Sequence, residues 1–368
     1  MISTEEALAL FPFKETLLCI DELDTPIPII DLDIVLENLI SAQKHFDQLG
    51  IAFRPHIKTH KMIPFAKIQL LLGACGITVQ KLGEAEIMAN AGIKDIMVAY
   101  NIIGHRKLAR VVKLAKQTKL TLVADNEVCV NQLNDAAANN NLTLDLLIEC
   151  DTGDKRNGLD NANLVLQLAK CIDSKPNLRF KGLMTYPPAG ARIKVSGILA
   201  NLRKVLENNG ISVETVSSGG TKDLFLDEGL NGITEYRAGN YIFNDRLSLQ
   251  NGSCSLENCA ARVLTTVVSK PARSRVILDA GSKSLTSDLN GLNGYGIDPK
   301  SQARVSKLSE EHGQMEGKEI DTLPNIGDLV QILPNHICPV INLFDYIALK
   351  SKGNVLGLVK VDARGKVY

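Results

Sequence analysis

The sequence of 368 residues has no tryptophan, and aromatic residues make up only 4% of it. It also has no run of about 18 apolar residues, the length that a helix needs to cross a bilayer. Neither charge is in excess, because 41 Lys and Arg residues balance 41 Asp and Glu residues. We therefore expect neither a membrane nor a nucleic acid as partner, and small molecules become the expected substrates.

Paired cysteine motifs are absent as well. The eight cysteines are scattered without a CxxC spacing, and the first residues are acidic and lack the apolar stretch of a secretory signal. We therefore expect reduced thiols and a cytoplasmic protein, in which most cysteines are small buried apolar side chains.

What the sequence does contain is a regular alternation of strand-like and helical patterns. Hydrophobic residues account for 45% and charged residues for 22%, which is typical of a soluble, core-forming chain. Amphipathic stretches, with apolar residues at three- and four-residue spacing, separate short apolar runs. Eight βα units in succession predict a closed (β/α)8 TIM barrel over residues 33–240, with a doubly wound open sheet as the alternative. The predicted strands occupy residues 51–57, 76–79, 96–99, 120–124, 144–149, 179–184, 212–216 and 233–236.

The pattern changes after residue 240, where strand-like runs follow one another without a long helical pattern. They predict an antiparallel β domain over residues 241–368. An apolar segment at 25–31 precedes the first barrel helix, so residues 1–32 are expected to add a strand to this domain. The runs lie at 262–269, 275–279, 304–308, 328–333, 343–349 and 354–361.

Function in a (β/α)8 barrel resides at the carboxyl ends of the strands, and Lys58 follows the first of them. We expect Lys58 to be desolvated and flanked by basic residues, among them Arg54 and Lys61. Burial and neighbouring positive charge both lower the pKa of an amine, which makes it nucleophilic toward an aldehyde. The alternative is a solvated basic loop.

A glycine pair with hydroxyl residues on either side follows the seventh strand, at Ser218, Gly219, Gly220 and Thr221. Backbone N–H groups of glycines can close around a phosphate, and Ser and Thr hydroxyls add donors. Phosphate sites in barrels commonly lie after strands seven and eight, where Gly239 would add a further N–H. The pattern therefore favours a phosphate site over a plain Gly-Gly turn.

In the predicted β domain, His336 and Cys338 form a His-x-Cys pair. On an extended chain the imidazole and the thiolate would lie on one side, and both are ligands suited to Zn²⁺. Two protein ligands would leave open positions for water and substrate. The alternative is a buried structural pair.

Together these segments resemble one family. The motifs are Arg-Pro-His-Ile-Lys-Thr-His-Lys at 54–61, Leu-Gly-Glu-Ala-Glu at 82–86, Ser-Gly-Gly-Thr at 218–221, Arg-Ala-Gly at 237–239 and Pro-Asn-His-Ile-Cys at 334–338. They are similar to those of the metal-dependent D-threonine aldolase and D-serine dehydratase family, within the alanine racemase-like, fold-type III enzymes of pyridoxal phosphate. The likeness extends over residues 22–350.

The resemblance implies an alanine racemase-like (β/α)8 TIM barrel with a C-terminal antiparallel β domain, and Lys58 as the Schiff-base lysine of pyridoxal 5'-phosphate. It implies His60 as a second catalytic residue, and His336 and Cys338 as ligands of a divalent metal, Zn²⁺ or Mn²⁺. Members are usually homodimers, in which the β domain of one subunit approaches the barrel of the other. Besides Lys58, the implied cofactor-binding residues are His56, Gln80, Arg156, Tyr186, Ser218, Gly219, Gly220, Thr221, Gly239, Asn240 and Tyr241.

The reaction implied by the family is retro-aldol cleavage of a D-β-hydroxy-amino acid, such as D-threonine to glycine and acetaldehyde. The alternative is β-elimination, as in D-serine dehydratase or D-3-hydroxyaspartate dehydratase. Gln80 with Lys81 favours an aldolase, whereas Cys338 favours a dehydratase, because many aldolases have Asp at that position. Simple racemisation would give the metal pair no role.

Relatives often carry a His shortly after the residue that Tyr186 matches, and this chain has none there. A metal-bound hydroxide, His60 or Lys58 must then act as the base. Two further alternatives are a non-catalytic pyridoxal-phosphate protein and a metal-dependent barrel enzyme without pyridoxal phosphate. The first is disfavoured because such proteins are single barrels without a β domain.

Overall fold

The computed structural model describes residues 2–16, 19–317 and 323–368. It divides into two compact units, each described here by itself. The β unit comprises the chain up to Ser41, Thr59–Phe65 and Asn240–Gly365. The barrel unit comprises Ala42–Lys58, Ala66–Gly239 and Lys366–Tyr368.

The elements are numbered in chain order. The strands are β1 (Phe13–Thr16), β2 (Ile27–Asp31), β3 (Ala52–Phe53), β4 (Ile77–Val79), β5 (Asp95–Asn101), β6 (Lys119–Ala124), β7 (Leu144–Glu149), β8 (Leu178–Met184), β9 (Thr215–Ser218), β10 (Glu235–Tyr236), β11 (Ala261–Ala272), β12 (Arg275–Leu278), β13 (Gly296–Ile297), β14 (Arg304–Leu308), β15 (Gly313–Glu316), β16 (Leu329–Pro334), β17 (Tyr346–Ser351) and β18 (Asn354–Lys360). The helices are α1 (Thr4–Leu8), α2 (Leu32–Leu49), α3 (Ile63–Leu72), α4 (Leu82–Asn90), α5 (His105–Ala115), α6 (Glu127–Ala138), α7 (Ala162–Asp173), α8 (Arg192–Asn208), α9 (Arg246–Gln250), α10 (Ser282–Leu285) and α11 (Ile337–Leu343).

The barrel unit is built on a parallel sheet that has eight strands within the described residues, in the order β3-β10-β9-β8-β7-β6-β5-β4. The two end strands are joined where the chain leaves β3, because His56 forms a parallel bridge with Thr78 of β4. The Ile57 N–H donates to the Thr78 carbonyl at 2.9 Å. The sheet thus closes on itself, as expected for a (β/α)8 barrel.

Strand β7 and helix α6 illustrate how the sequence forms these elements. All six residues of β7 are buried, which explains why most of them are apolar, since a parallel strand is covered on both faces. Helix α6 begins at Asn126, whose side chain accepts a hydrogen bond from the Cys129 N–H, as an N-cap does. Its buried residues Val130, Leu133 and Ala137 recur at three- and four-residue spacing, so one stripe of the helix is apolar.

The β unit holds a sheet that, within the described residues, has ten strands in the order β1-β18-β17-β2-β11-β12-β15-β14-β13-β16. A further pairing of β11 with β16 closes six of these strands into a ring. Strand β2 pairs antiparallel with β11 and parallel with β17; the other pairings are antiparallel. The predicted fold class, a (β/α)8 barrel with an antiparallel β domain, is confirmed.

Three details of the sequence-based prediction were wrong. The strand predicted at 212–216 is β9, which occupies Thr215–Ser218. The strand predicted at 343–349 starts only at Tyr346, and helix α11 occupies the residues before it. Strand β3 is much shorter than the predicted run 51–57, although its hydrogen bonding continues, since the Arg54 and His56 N–H groups donate to the Tyr236 and Ala238 carbonyls. Among the described residues, none of the helices is long and apolar enough to cross a membrane.

Candidate active site

Lys58 lies where the chain leaves the first strand of the barrel, and it is half-buried. Its N–H donates to His56 Nδ1 at 3.3 Å, so the proton of the neutral imidazole is on Nε2. His56 Nε2 then donates to Gln80 Oε1 at 3.1 Å. The Gln80 amide in turn donates to the Ala99 carbonyl of β5 at 2.8 Å. The structure thus brings three predicted residues together and fixes the turn that carries Lys58.

Arg54 does not lend free positive charge to Lys58, as the sequence led us to expect. Its guanidinium pairs with Glu235 and with Asp95, both at 2.6 Å. Glu235 also accepts a hydrogen bond from Ser217 at 2.6 Å. This buried network holds β3, β5, β9 and β10 in register, and because two carboxylates face one guanidinium it leaves no excess positive charge.

The glycine pair follows β9, and its conformation is set by the neighbouring strand β10. Gly219 has a φ of +127°, and a Cβ there would meet the Arg237 carbonyl oxygen at 2.6 Å and the Tyr236 ring at 2.7 Å, so only glycine fits. The Tyr236 hydroxyl donates to the Gly220 carbonyl at 2.8 Å. The loop is therefore tied to β10 on one side.

Tyr186, which follows β8, borders the same loop on its other side. A Cβ at Gly220 would lie 3.7 Å from the Tyr186 ring, and the Arg156 guanidinium lies over this ring at 4.9 Å. The structure thus brings Arg156, Tyr186 and the loop of residues 218–221 together at the carboxyl ends of β7, β8 and β9.

Glu149, at the end of β7, is a residue that the sequence did not single out. It is 3% exposed, and among the described residues nothing forms a hydrogen bond with its buried Oε2 atom. Burial raises the pKa of Glu149 to about 7, although the positive charges of Arg237 and Arg156 oppose this. A carboxyl group at the end of a mostly apolar strand was the available signal, because such a group cannot reach water.

In the β unit, a buried carboxylate holds His336 and the start of the helix in which Cys338 lies. The pair does not lie on an extended chain, because His336 is the N-cap of α11 and Cys338 lies in its first turn. Asp245 Oδ2 accepts hydrogen bonds from His336 Nδ1 at 2.9 Å and from the Ile337 N–H at 3.0 Å. Asp245 thereby caps the helix and orients the imidazole.

The charges around His336 suit a cation. Burial lowers the pKa of His336, but the negative charge of Cys338 and the hydrogen bond to Asp245 outweigh this and raise it to about 11. The Cys338 sulfur also lies 3.2 Å from the Thr59 hydroxyl. Since Nδ1 is engaged by Asp245, Nε2 is the imidazole nitrogen that can bind a metal, as in carboxylate–histidine–metal sites. No cluster of three or more His, Cys, Asp or Glu side chains able to hold a metal occurs in the part of the chain that the structure describes.

His60, Asn240 and Tyr241 belong to the β unit. His60 is fully buried, and its Nδ1 accepts a hydrogen bond from the Met62 N–H at 3.1 Å. Asn240 donates to Asp245 Oδ2 at 2.8 Å, so it shares the acceptor that holds His336. The predicted cofactor-binding residues from His56 to Gly239 belong to the barrel unit.

Two family models match the chain. The model described as the N-terminal domain of alanine racemase matches residues 30–246, and that described as the putative serine dehydratase domain matches residues 260–349. The first of these alone spans more than half of the chain.

Known proteins match along nearly the full length. D-threonine aldolase from Arthrobacter sp. is 33% identical over 356 residues, which are 93% of this chain and 93% of that protein. The crystal structure of D-threonine aldolase from Filomicrobium marinum gives a TM-score of 0.89 at 26% identity, covering 97% of this chain and 100% of that one. A mutant of D-threo-3-hydroxyaspartate dehydratase in the metal-free form gives a TM-score of 0.85 at 27% identity, covering 93% and 98%. Similarity therefore extends to proteins named as aldolases and to one named as a dehydratase.

Proposed function

We propose that this chain, which belongs to the alanine racemase-like family of D-threonine aldolases and D-serine dehydratases, is a lyase that depends on pyridoxal phosphate and a divalent metal. Its substrates would be D-β-hydroxy-amino acids, and its main reaction the cleavage of D-threonine to glycine and acetaldehyde. The observation that carries this proposal is a His–Cys donor pair, oriented by Asp245, in a chain whose barrel presents Lys58 at the end of its first strand. Racemisation needs no such pair.

The residues of the barrel unit fit pyridoxal phosphate. Lys58 would hold the aldehyde, and the loop with Ser218, Gly219, Gly220 and Thr221 would hold the phosphate, together with Gly239. Glu149 Oε2 has no hydrogen-bond partner among the described residues, and Arg237 and Arg156 lie near this carboxyl group. This polar end of the barrel would suit a polar group of the cofactor ring. Arg156 and Tyr186 would lie near that ring, and His56 and Gln80 would fix the segment that carries Lys58; Asn240 and Tyr241 remain proposed phosphate-side residues.

The donor set of the β unit fits a divalent metal. An imidazole nitrogen and a thiolate are ligands that Zn²⁺ prefers, and a site with few protein ligands keeps positions open for substrate. Mn²⁺ is the alternative. Metal binding would displace the proton that His336 holds, because a ligand nitrogen must be deprotonated. The solved metal-free form of the dehydratase relative supports a metal in this family.

When bound, the cofactor supplies an electron sink for the breaking bond, and the metal supplies a Lewis acid for the substrate hydroxyl. The chain itself must position both and move protons. Lys58 would take and return protons at its amine. His60 would act as a donor, because its Nδ1 accepts from Met62 and its proton is therefore on Nε2.

Cys338 favours a second candidate, β-elimination of water from D-serine or D-3-hydroxyaspartate. The thiol is the residue that the dehydratases of the family have, whereas many aldolases have Asp. We further propose a cytoplasmic homodimer. All eight cysteines are free thiols, which supports a reducing compartment.

The decisive assay uses purified protein with D-threonine or D-serine, with and without a metal chelator. We expect glycine and acetaldehyde from D-threonine, lost with chelator and restored by Zn²⁺ or Mn²⁺. Pyruvate from D-serine without acetaldehyde from D-threonine would replace the aldolase with the dehydratase. No turnover of either substrate by protein loaded with cofactor and metal would refute both.

Cofactor attachment is tested separately from turnover. Protein mixed with pyridoxal phosphate is reduced with borohydride and digested, and the modified peptide is identified by mass spectrometry. We expect modification at Lys58 and none in Lys58→Ala, whereas Lys67→Ala, which changes an exposed lysine of α3, keeps it. Modification of a different lysine in the wild-type protein would overturn the assignment.

A further inference from the structure

Two cysteines of the β unit flank a single turn of 3-10 helix, Leu256–Asn258. The sulfur atoms of Cys254 and Cys259 lie 4.0 Å apart and are both free thiols. Cys259 is buried, and Cys254 is half-buried. A disulfide has an S–S distance of about 2 Å, so the two sulfur atoms must approach by about 2 Å to join.

The turn between them is fixed by several hydrogen bonds. The Asn258 side chain accepts from the Ser255 N–H and hydroxyl at 3.1 and 3.0 Å. Its carbonyl accepts from the side-chain amides of Asn38 and Asn244 at 2.8 and 3.1 Å. Because both ends of the turn are anchored, the two sulfurs are held close together, which favours reaction between them.

The surroundings of the two thiols favour Cys259 as the nucleophile and Cys254 as the proton donor. The hydrogen bond from Cys254 lowers the pKa of Cys259, and the nearby charge of Arg262 lowers it further, although burial and Asp245 raise it. The same hydrogen bond raises the pKa of Cys254. Arg262 is held beside the pair because it donates to the Cys259 carbonyl at 2.7 Å. A thiolate next to a cation, with a second thiol at hand, is the arrangement of redox-active cysteines.

We propose that Cys254 and Cys259 form a peroxide-reactive dithiol that closes to a reversible disulfide. The Cys259 thiolate attacks one oxygen of hydrogen peroxide, the O–O bond breaks, hydroxide leaves, and Cys259 becomes a sulfenic acid. The Cys254 sulfur then attacks the Cys259 sulfur, and the S–O bond breaks. The hydroxyl group leaves with the Cys254 proton as water. Overall, two thiols and one peroxide yield one disulfide and two waters, and a dithiol reductant reverses the change.

Hydrogen peroxide is the oxidant that fits this geometry, because it is small enough to reach a buried thiolate, whereas a bulky disulfide is not. The buried cysteines of the barrel unit lack these features. Burial raises the pKa of Cys129 to about 11 and that of Cys150 to about 12, so both remain unreactive thiols. The proposal does not depend on the lyase activity.

The proposed disulfide can be tested by mass spectrometry, because both cysteines lie in one tryptic peptide, residues 247–262. Reduced full-length protein is treated with hydrogen peroxide, alkylated, digested without reductant and analysed by mass spectrometry. We expect this peptide to become two hydrogens lighter and resistant to alkylation, about tenfold faster than the peptide with the lone half-buried Cys171 is oxidised. Dithiothreitol should restore both thiols.

Single variants assign the roles. In Cys254→Ser, Cys259 should stop at the sulfenic acid and be trapped by dimedone, whereas in Cys259→Ser the reaction of Cys254 should slow at least about tenfold. Circular dichroism checks that both variants fold. The proposal is wrong if peptide 247–262 stays alkylatable while Cys171 is oxidised, or if dimedone labels neither variant.

Discussion

Replacing Glu149 with Gln tests the electrostatics of the barrel most directly. Burial holds the pKa of this carboxyl group at about 7 instead of the ordinary 4.5. In the unfolded chain the proton leaves near pH 4.5, whereas the folded chain keeps it until about pH 7. Between these values the folded state binds more protons, so its stability falls as the pH rises and then stays low above pH 7.

The expected change in stability follows from the size of the pKa shift of Glu149. A rise from 4.5 to about 7 corresponds to roughly 3 kcal/mol between the two protonation states, and Glu149 is only 3% exposed, so solvent screens little of it. Gln is nearly the same size and stays neutral. The stability advantage of Glu149→Gln over the wild type should therefore grow by roughly 3 kcal/mol between pH 4.5 and pH 8. For a chain of this length, that is a gain in Tm of roughly 4 °C.

The assay is thermal unfolding of the cofactor-free protein at a series of pH values, followed by circular dichroism because the chain has no tryptophan. The quantity of interest is the difference in Tm between variant and wild type at each pH, in which other titrating groups cancel. Glu228→Gln, which changes an exposed carboxylate of the barrel unit, should give a difference that stays flat. A flat or falling difference for Glu149→Gln would refute the buried-carboxyl argument.

Three further predictions concern the two proposed ligand sites. Asp245→Asn should weaken Zn²⁺ binding by about 10–100-fold, measured by competition with a chromogenic chelator, because His336 loses the carboxylate that orients it. Tyr236→Phe should weaken pyridoxal-phosphate binding about fivefold in a fluorescence titration, because it removes one hydrogen bond of about 1 kcal/mol to Gly220. His60→Gln should lower kcat by less than about tenfold and leave the pH profile unchanged; a loss of 10²-fold or more would mark His60 as the base.

Much of the barrel could be predicted because each element carries its own local signal. Strand β7 was predicted at its observed bounds because most of its residues are apolar, and the amphipathic stretch that precedes it forms helix α6, which has Asn126 as its N-cap. The family prediction is confirmed by two family models and by relatives that match nearly the full length of the chain. His56 and Gln80 lie at the ends of neighbouring strands, so their meeting follows from the topology.

The features that the sequence did not predict depend on contacts between residues far apart in the chain. The His-x-Cys segment forms a helix rather than a strand because Asp245, 91 residues away, caps it. No pattern within residues 334–343 carries that information, and Pro339 in the first turn is compatible with either structure. Glu149 was missed for a similar reason, because its pKa is raised by burial within the folded barrel and lowered by the more distant Arg237 and Arg156.

The hydrogen bonds of His60 and His56 limit which residue can act as the base in the proposed reaction. His60 Nδ1 accepts from the Met62 N–H, so a neutral His60 carries its proton on Nε2 and has no lone pair there to accept another. His56 is in the same state, because its Nδ1 accepts from the Lys58 N–H. Neither imidazole is therefore set up as a base, and both are set up as donors. No histidine lies shortly after Tyr186, so Lys58 is the residue left to act as the base. A divalent metal, which His336 and Cys338 would hold, would supply Lewis acidity for the substrate hydroxyl, and the chelator assay therefore bears on bond cleavage as well as on binding.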